Sequence, residues 1–233
     1  MRERAAALSG LAKWMCGMLV CFVLMTVATE VMAWHKYQVL LALPLQESDA
    51  SDNARVVADM WLGNMTGWWQ ATGVATALLF IFWLWSMRSL ADVVWPQGQR
   101  RHTAWALFGW LLPVVQLFMP KMFINDLWAA AQPASRRRRG NALLTVWWLS
   151  VLAVGHWVKG DVSSPLENAG NAGEASQALR HLMLSDALCV AVAVLTIAVV
   201  RRLSGMLTRA VNGRRWGHDD PRTAAEYGDQ GDR

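Results

Sequence analysis

The sequence predicts an all-α integral membrane fold with four transmembrane helices, a Pro-interrupted re-entrant or half-crossing segment and a cytoplasmic interfacial helix. Three observations predict it. The 233 residues are 55% apolar and carry 15 Trp against 2 Tyr, a composition foreign to a soluble domain of this length. The apolar residues are blocked into uninterrupted stretches at about 11–34, 66–87, 142–158 and 183–200, each near the ~20 residues that cross hydrocarbon. Basic residues gather at stretch ends, as the charge rule for cytoplasmic loops requires. Residues 1–211 thus form one helical membrane domain, followed by a polar tail.

The first span follows Arg2, Arg4 and Lys13, which places the N-terminus in the cytoplasm. Val31-Met32-Ala33 has the look of a signal-peptide cleavage site, but the apolar run from Trp14 to Ala33 exceeds the ~7 to 15 residues of such a core. A retained anchor is the expectation. Residues 35–65 carry Glu47, Asp49, Asp52 and Asp59 against Lys36 and Arg55, so they form an outer loop. Within it, Asp49 or Ser51 caps a short helix whose Val56, Val57, Met60 and Trp61 rest on the membrane surface.

The second span opens with Trp68 and Trp69 and closes with Trp83 and Trp85, the spacing of aromatic belts at two interfaces. Gly63 with Gly67, and Gly73 with Ala77, supply small-residue spacing for close helix approach. Arg88, Arg100 and Arg101 return the chain to the cytoplasm.

Residues 104–120 are apolar, interrupted by Pro113 and closed by Pro120, and are flanked on both sides by arginine. A full crossing would carry Lys121 and Arg136 to Arg139 outside, against the charge rule. A re-entrant half-crossing removes the conflict; the competing reading is a Pro-kinked full span. Residues 120–132 then place Phe123, Ile124, Leu127, Trp128 and Ala131 on one face of an interfacial helix, with Pro120 in its first turn. The run Arg136, Arg137, Arg138 and Arg139 is positioned to bind anionic head groups, or simply to set orientation.

The third crossing, 142–158, carries Trp147, Trp148 and His156; the fourth, 183–200, carries Asp186 and ends at Arg201 and Arg202. This topology leaves only Lys36, Arg55, Lys159 and Arg180, of 22 Lys and Arg, on the outer side. Both termini are cytoplasmic in a cell-membrane, multi-pass arrangement. The tail, 212–233, mixes Arg, Asp, Gly and Thr without apolar periodicity and is expected to be disordered.

From Trp83 to Trp148 the chain carries Trp85 and Arg88, then Trp105, Trp110, Pro113, Gln116 and Pro120, then Asp126, Trp128 and the Trp147-Trp148 pair. This set resembles a bacterial multi-pass membrane family known only as a domain of unknown function, number four-three-two-eight. The most specific piece is Trp-x-x-Pro-x-x-Gln-x-x-x-Pro, in which the family more often carries Asn at the Gln116 position. The resemblance implies a membrane fold and brings no activity, substrate or cofactor.

Candidate functional residues follow from the cost of polar groups in lipid. Glu30, His156 and Asp186 are ionisable residues inside spans, and the proposed topology puts all three in the outer-leaflet layer. Converging, they would share a proton, accept a cation or serve as acid and base on a lipid or isoprenoid-like substrate. The plainer reading is that each snorkels to the interface or is satisfied locally by Thr26 or Ser185. Gln116 and Asn125, with Trp110, are candidates for a polar vestibule at the re-entrant turn, or for satisfying carbonyls freed by Pro113.

Several classes are set aside. The net charge of +5 falls at span ends rather than on one soluble face, so no nucleic acid is expected. Cys16, Cys21 and Cys189 lie within apolar spans without CxxC spacing, and the five His are scattered, so neither a metal nor another cofactor is expected. No hydrolase or nucleotide-binding motif is present. The leading expectation is a non-catalytic anchoring, regulatory or assembly protein, with a protein partner or a second copy as its associate. An integral enzyme and an ion, proton or small-solute conduit are the alternatives.

Overall fold

The computed structural model describes residues 2–42, 49–95, 115–132, 141–157 and 172–218. They are helical throughout, without strands among the described residues. The helices are α1 (Arg2–Ala42), α2 (Asp49–Val94), α3 (Met119–Ala130, preceded by a 3-10 turn at Val115–Leu117), α4 (Ala142–Trp157) and α5 (Ala172–His218).

Proline explains several boundaries. The residue before a proline is pushed out of helical backbone, and α1 and α2 end just ahead of Pro44 and Pro96. Trp95 N–H still donates to the Ala91 carbonyl at 2.8 Å, closing the last turn of α2. Pro120 lies in the first turn of α3, where no backbone donor is missed.

The long helices revise the expected spans. α1, α2 and α5 contain 41, 46 and 47 residues, roughly 60 to 70 Å at 1.5 Å per residue, about twice the hydrocarbon thickness. Three helices are long and apolar enough to cross a membrane: α1, α2 and α5. The stretch expected as a third crossing is α4, an apolar helix of only 16 residues. The expected outer loop is largely absent, since α1 continues to Ala42 and α2 starts at Asp49. Val56, Val57, Met60 and Trp61 are therefore exposed residues on the opening turns of α2, not a separate surface helix. Likewise α5 continues through His218, seven residues into the expected tail. The part of the re-entrant segment from 104 to 114, with Trp110 and Pro113, lies outside the described residues, as do Arg136 to Arg139 and the tail from 219.

The chain divides into two compact units. One comprises residues 1–14, 81–141 and 199–233. Its core holds Trp83, Leu84 and Met87 of α2, Phe123, Ile124, Leu127 and Trp128 of α3, and Leu203 and Leu207 of α5. The apolar face expected on α3 is present, but protein covers it instead of lipid: Arg88 lies over the Phe123 ring at 5.7 Å and Arg202 over Trp128 at 5.7 Å.

The other unit comprises residues 15–80 and 142–198. Ala33 and Leu40 of α1, Leu62 of α2, and Ala175, Ala178, Leu179 and Leu182 of α5 form one apolar cluster, the last four at the 3–4 residue spacing of a single helix face. Contacts between residues 22 and 73, 26 and 69, and 36 and 59 run α1 and α2 antiparallel. Close approach is made at Gly73, where an added Cβ would stand 3.3 Å from Phe22 Cε2. Gly63 and Gly67 instead face open space, so the GxxxG pair packs against no helix among the described residues. Gly73→Val is expected to lower stability by about 1–3 kcal/mol through overpacking. Gly67→Val should change it by less than about 0.5 kcal/mol. Denaturant unfolding in micelles reads both.

Candidate functional site

The site is built from polar side chains that helices turn toward one another. Trp69 Nε1 donates to Thr26 Oγ1 at 3.0 Å, and Thr26 donates in turn to the Phe22 carbonyl at 3.0 Å. Trp147 Nε1 donates to Thr196 Oγ1 at 2.9 Å, and Thr196 donates to the Val192 carbonyl at 2.7 Å. Trp83 Nε1 donates to Ser204 Oγ at 3.0 Å. At the two threonines the physical logic is shared: the hydroxyl spends its proton on its own helix and keeps a lone pair for the indole of a neighbouring helix. Indole has one N–H and no other polar atom, so a single partner satisfies it.

These ties revise the aromatic-belt expectation. Each Trp pair on α2 splits, because helical residues one apart point about 100° and residues two apart about 200° from each other: Trp68 and Trp85 are exposed, while Trp69 turns to Thr26 and Trp83 is 0% exposed. Trp147 and Trp148 are both buried.

Glu30 of α1 and Asp186 of α5 come together. Their carboxyl groups neighbour each other, side chain against side chain. Glu30 Oε2 and Asp186 Oδ2 are buried without a hydrogen-bond partner, and so is the hydroxyl of Ser185, a residue only 3% exposed. Local satisfaction by Thr26 or Ser185 does not occur, since Thr26 is engaged with Phe22 and Trp69. Cys189, one turn along α5 and also buried, interacts electrostatically with Asp186. The side chain of His156 lies outside the described residues, although its backbone belongs to α4.

Two turns from Glu30, Lys36 Nζ meets Asp59 Oδ1 at 2.7 Å, with the lysine side chain 4% exposed. Sequence reasoning counted Lys36 among loop cations. A usable signal was present: Thr26, Thr29, Ala33, Lys36 and Leu40 recur at 3–4 residue spacing and all are buried, so the inward face runs past the assigned span end.

The remaining candidates lie apart from this pair in the chain. Gln116 is half-buried in the 3-10 turn, and Asn125 is exposed on α3, away from the face carrying Phe123 and Trp128. Nearby in the same unit, Arg88 is buried, with Nε 3.3 Å from Asp92 Oδ1, and Asp126 adds to the negative charge around it. Among the described residues no group of three or more His, Cys, Asp or Glu is arranged to hold a metal ion.

The comparisons add a family and no activity. The model of the family described as "Domain of unknown function (DUF4328)" matches residues 47–205. The match is broader than the Trp83–Trp148 stretch that carries the resemblance; it takes in Asp59 and Asp186 and leaves out Glu30 and Lys36. No curated protein and no solved structure matches the chain.

Proposed function

Because the chain belongs to the DUF4328 family, whose function is unknown, we propose from its own chemistry that it is a non-catalytic membrane protein that anchors, regulates or assembles with a partner. The observation that carries this reading is where the polar side chains go. Trp69, Trp83 and Trp147 each spend their N–H on a hydroxyl of another helix, and Lys36 is held by Asp59. Such groups act as glue between helices and build a rigid frame. The outward face of α2, by contrast, presents Gly63, Gly67, Trp68 and Val74.

In this reading the chain crosses the cell membrane four times with α4 as the third crossing, residues 104–120 re-enter, and both termini are cytoplasmic. Arg136 to Arg139 meet anionic head groups, and Gln116 and Asn125 satisfy carbonyls freed by Pro113; with Trp110 they would line a cytoplasmic vestibule only in a conduit. A cysteine at Ser135 is then labelled only from the cytoplasmic side; labelling from outside would make residues 104–120 a kinked crossing.

A photo-cross-linking residue at Gly67 or Val74 tests the assembly role in native membranes. A discrete protein adduct is expected at these positions, whereas adducts with lipid alone would contradict the reading. One observation favours a second reading, an enzyme with Glu30, Asp186 and His156 as acid and base: the first two do meet. That reading predicts that incubation with lipid extracts yields a converted species, lost in Glu30→Gln.

A further inference from the structure

Two carboxylates cannot hydrogen-bond to one another, since neither oxygen has a proton to donate; a carboxyl–carboxyl bond requires that at least one of the two be protonated. The carboxyl groups of Glu30 and Asp186 neighbour each other across the α1–α5 contact, and no donor from the protein reaches Glu30 Oε2 or Asp186 Oδ2, so a shared proton is the donor that satisfies them. The surroundings keep the arrangement isolated. Asp186 is itself only 9% exposed, and Glu30 Oε2 and Asp186 Oδ2 are buried without a hydrogen-bond partner. On the Lys36 side the apolar cluster of Ala33, Ala178 and Leu182 packs between the same helices. Toward the other side Trp69 is committed to Thr26.

We propose that Glu30 and Asp186 form a single-proton binding site that ties α1 to α5, with the proton as its ligand. The other titratable groups nearby do not replace it. Lys36, two turns along α1, is engaged by Asp59 of α2, and Cys189 is the neighbour on α5. His181 of α5 is exposed, and His156 is the titratable residue of α4. With the proton bound, the pair carries one negative charge and a strong hydrogen bond. Once it leaves, two like charges face each other and push the helices apart. The tie is therefore complete while the proton is held and is lost as pH rises through its release. The site gives the chain a means of sensing proton availability within the bilayer, and it does so whether or not the assembly reading is correct.

Infrared difference spectroscopy on the full chain in lipid bilayers tests this. At pH 7 exposed Asp and Glu are ionised, so a protonated-carboxyl band there reports a protected acid. One such band per chain is expected, disappearing reversibly on alkalinisation and absent from both Glu30→Gln and Asp186→Asn. The swapped chain, Glu30→Asp with Asp186→Glu, should keep the band and guards against reading misfolding as loss. A wild-type chain with no band at pH 7, or a band untouched by both single substitutions, would overturn the proposal. The band needs no partner, so its failure and the failure of cross-linking at Gly67 are separate results.

Discussion

Trp83→Ala should be among the most damaging single substitutions in the chain, lowering stability by about 3–5 kcal/mol. The indole is 0% exposed and sits among Leu84, Met87 and Leu203, all fully buried, so its removal leaves a void that a helical core closes only in part. The lost hydrogen bond to Ser204 adds to the effect. Two companions separate the terms. Trp83→Phe keeps most of the volume and removes the donor, and Ser204→Ala removes the acceptor and leaves a buried N–H; each should cost about 1–2 kcal/mol. Guanidinium or detergent-ratio unfolding of the purified protein measures all three. Equal effects of Trp83→Phe and Trp83→Ala would show that packing contributes little.

Asp59→Ala is expected to cost about 3 kcal/mol, the lower end for breaking a buried pair, because Asp59 itself is 46% exposed. The cost arises on the other partner. Lys36, its side chain 4% exposed, keeps a largely buried charge and loses the carboxylate at 2.7 Å. Replacing both, Lys36→Met with Asp59→Leu, should restore most of the loss, since an apolar pair of similar volume has no charge to desolvate. A double substitution as damaging as Asp59→Ala alone would mean that the pair matters through some contact other than its charge.

Much of the helical frame was legible in apolar periodicity. Phe123, Ile124, Leu127 and Trp128 were readable as one face of a helix begun by Pro120, and α3 has that face. What covers the face was not readable, because a stripe of this kind is satisfied equally by lipid or by protein, and here Arg88 and Arg202 lie over it. Helix ends were misplaced for a related reason: charge at Asp49, Asp52 and Asp59 breaks an apolar run without ending a helix. Lys36 shows the same error from the opposite direction, a cation assigned to solvent that is buried against Asp59.

The acidic pair was half legible. Two carboxyl groups at comparable depth are visible as soon as spans are placed, since Glu30 and Asp186 each lie a few residues from a span end. Whether they face each other depends on the rotation of α1 and α5 about their axes, which packing such as that of Ala33 against Ala178 and Leu182 decides. Tryptophan was read too uniformly. An interface residue and a core tie have the same identity, and only the partner hydroxyl, Thr26, Thr196 or Ser204, distinguishes them.

α1 and α5 turn their acids, Glu30 and Asp186, toward each other. Cross-linking in native membranes tests this directly, using Glu30→Cys with Asp186→Cys in a chain whose Cys16, Cys21 and Cys189 are replaced, and a short thiol-reactive reagent. The link between positions 30 and 186 should form readily, while Glu30→Cys paired with Val194→Cys, an outward position two turns along α5, should give none. Equal yields for the two pairs, or no link at 30 and 186, would contradict the account.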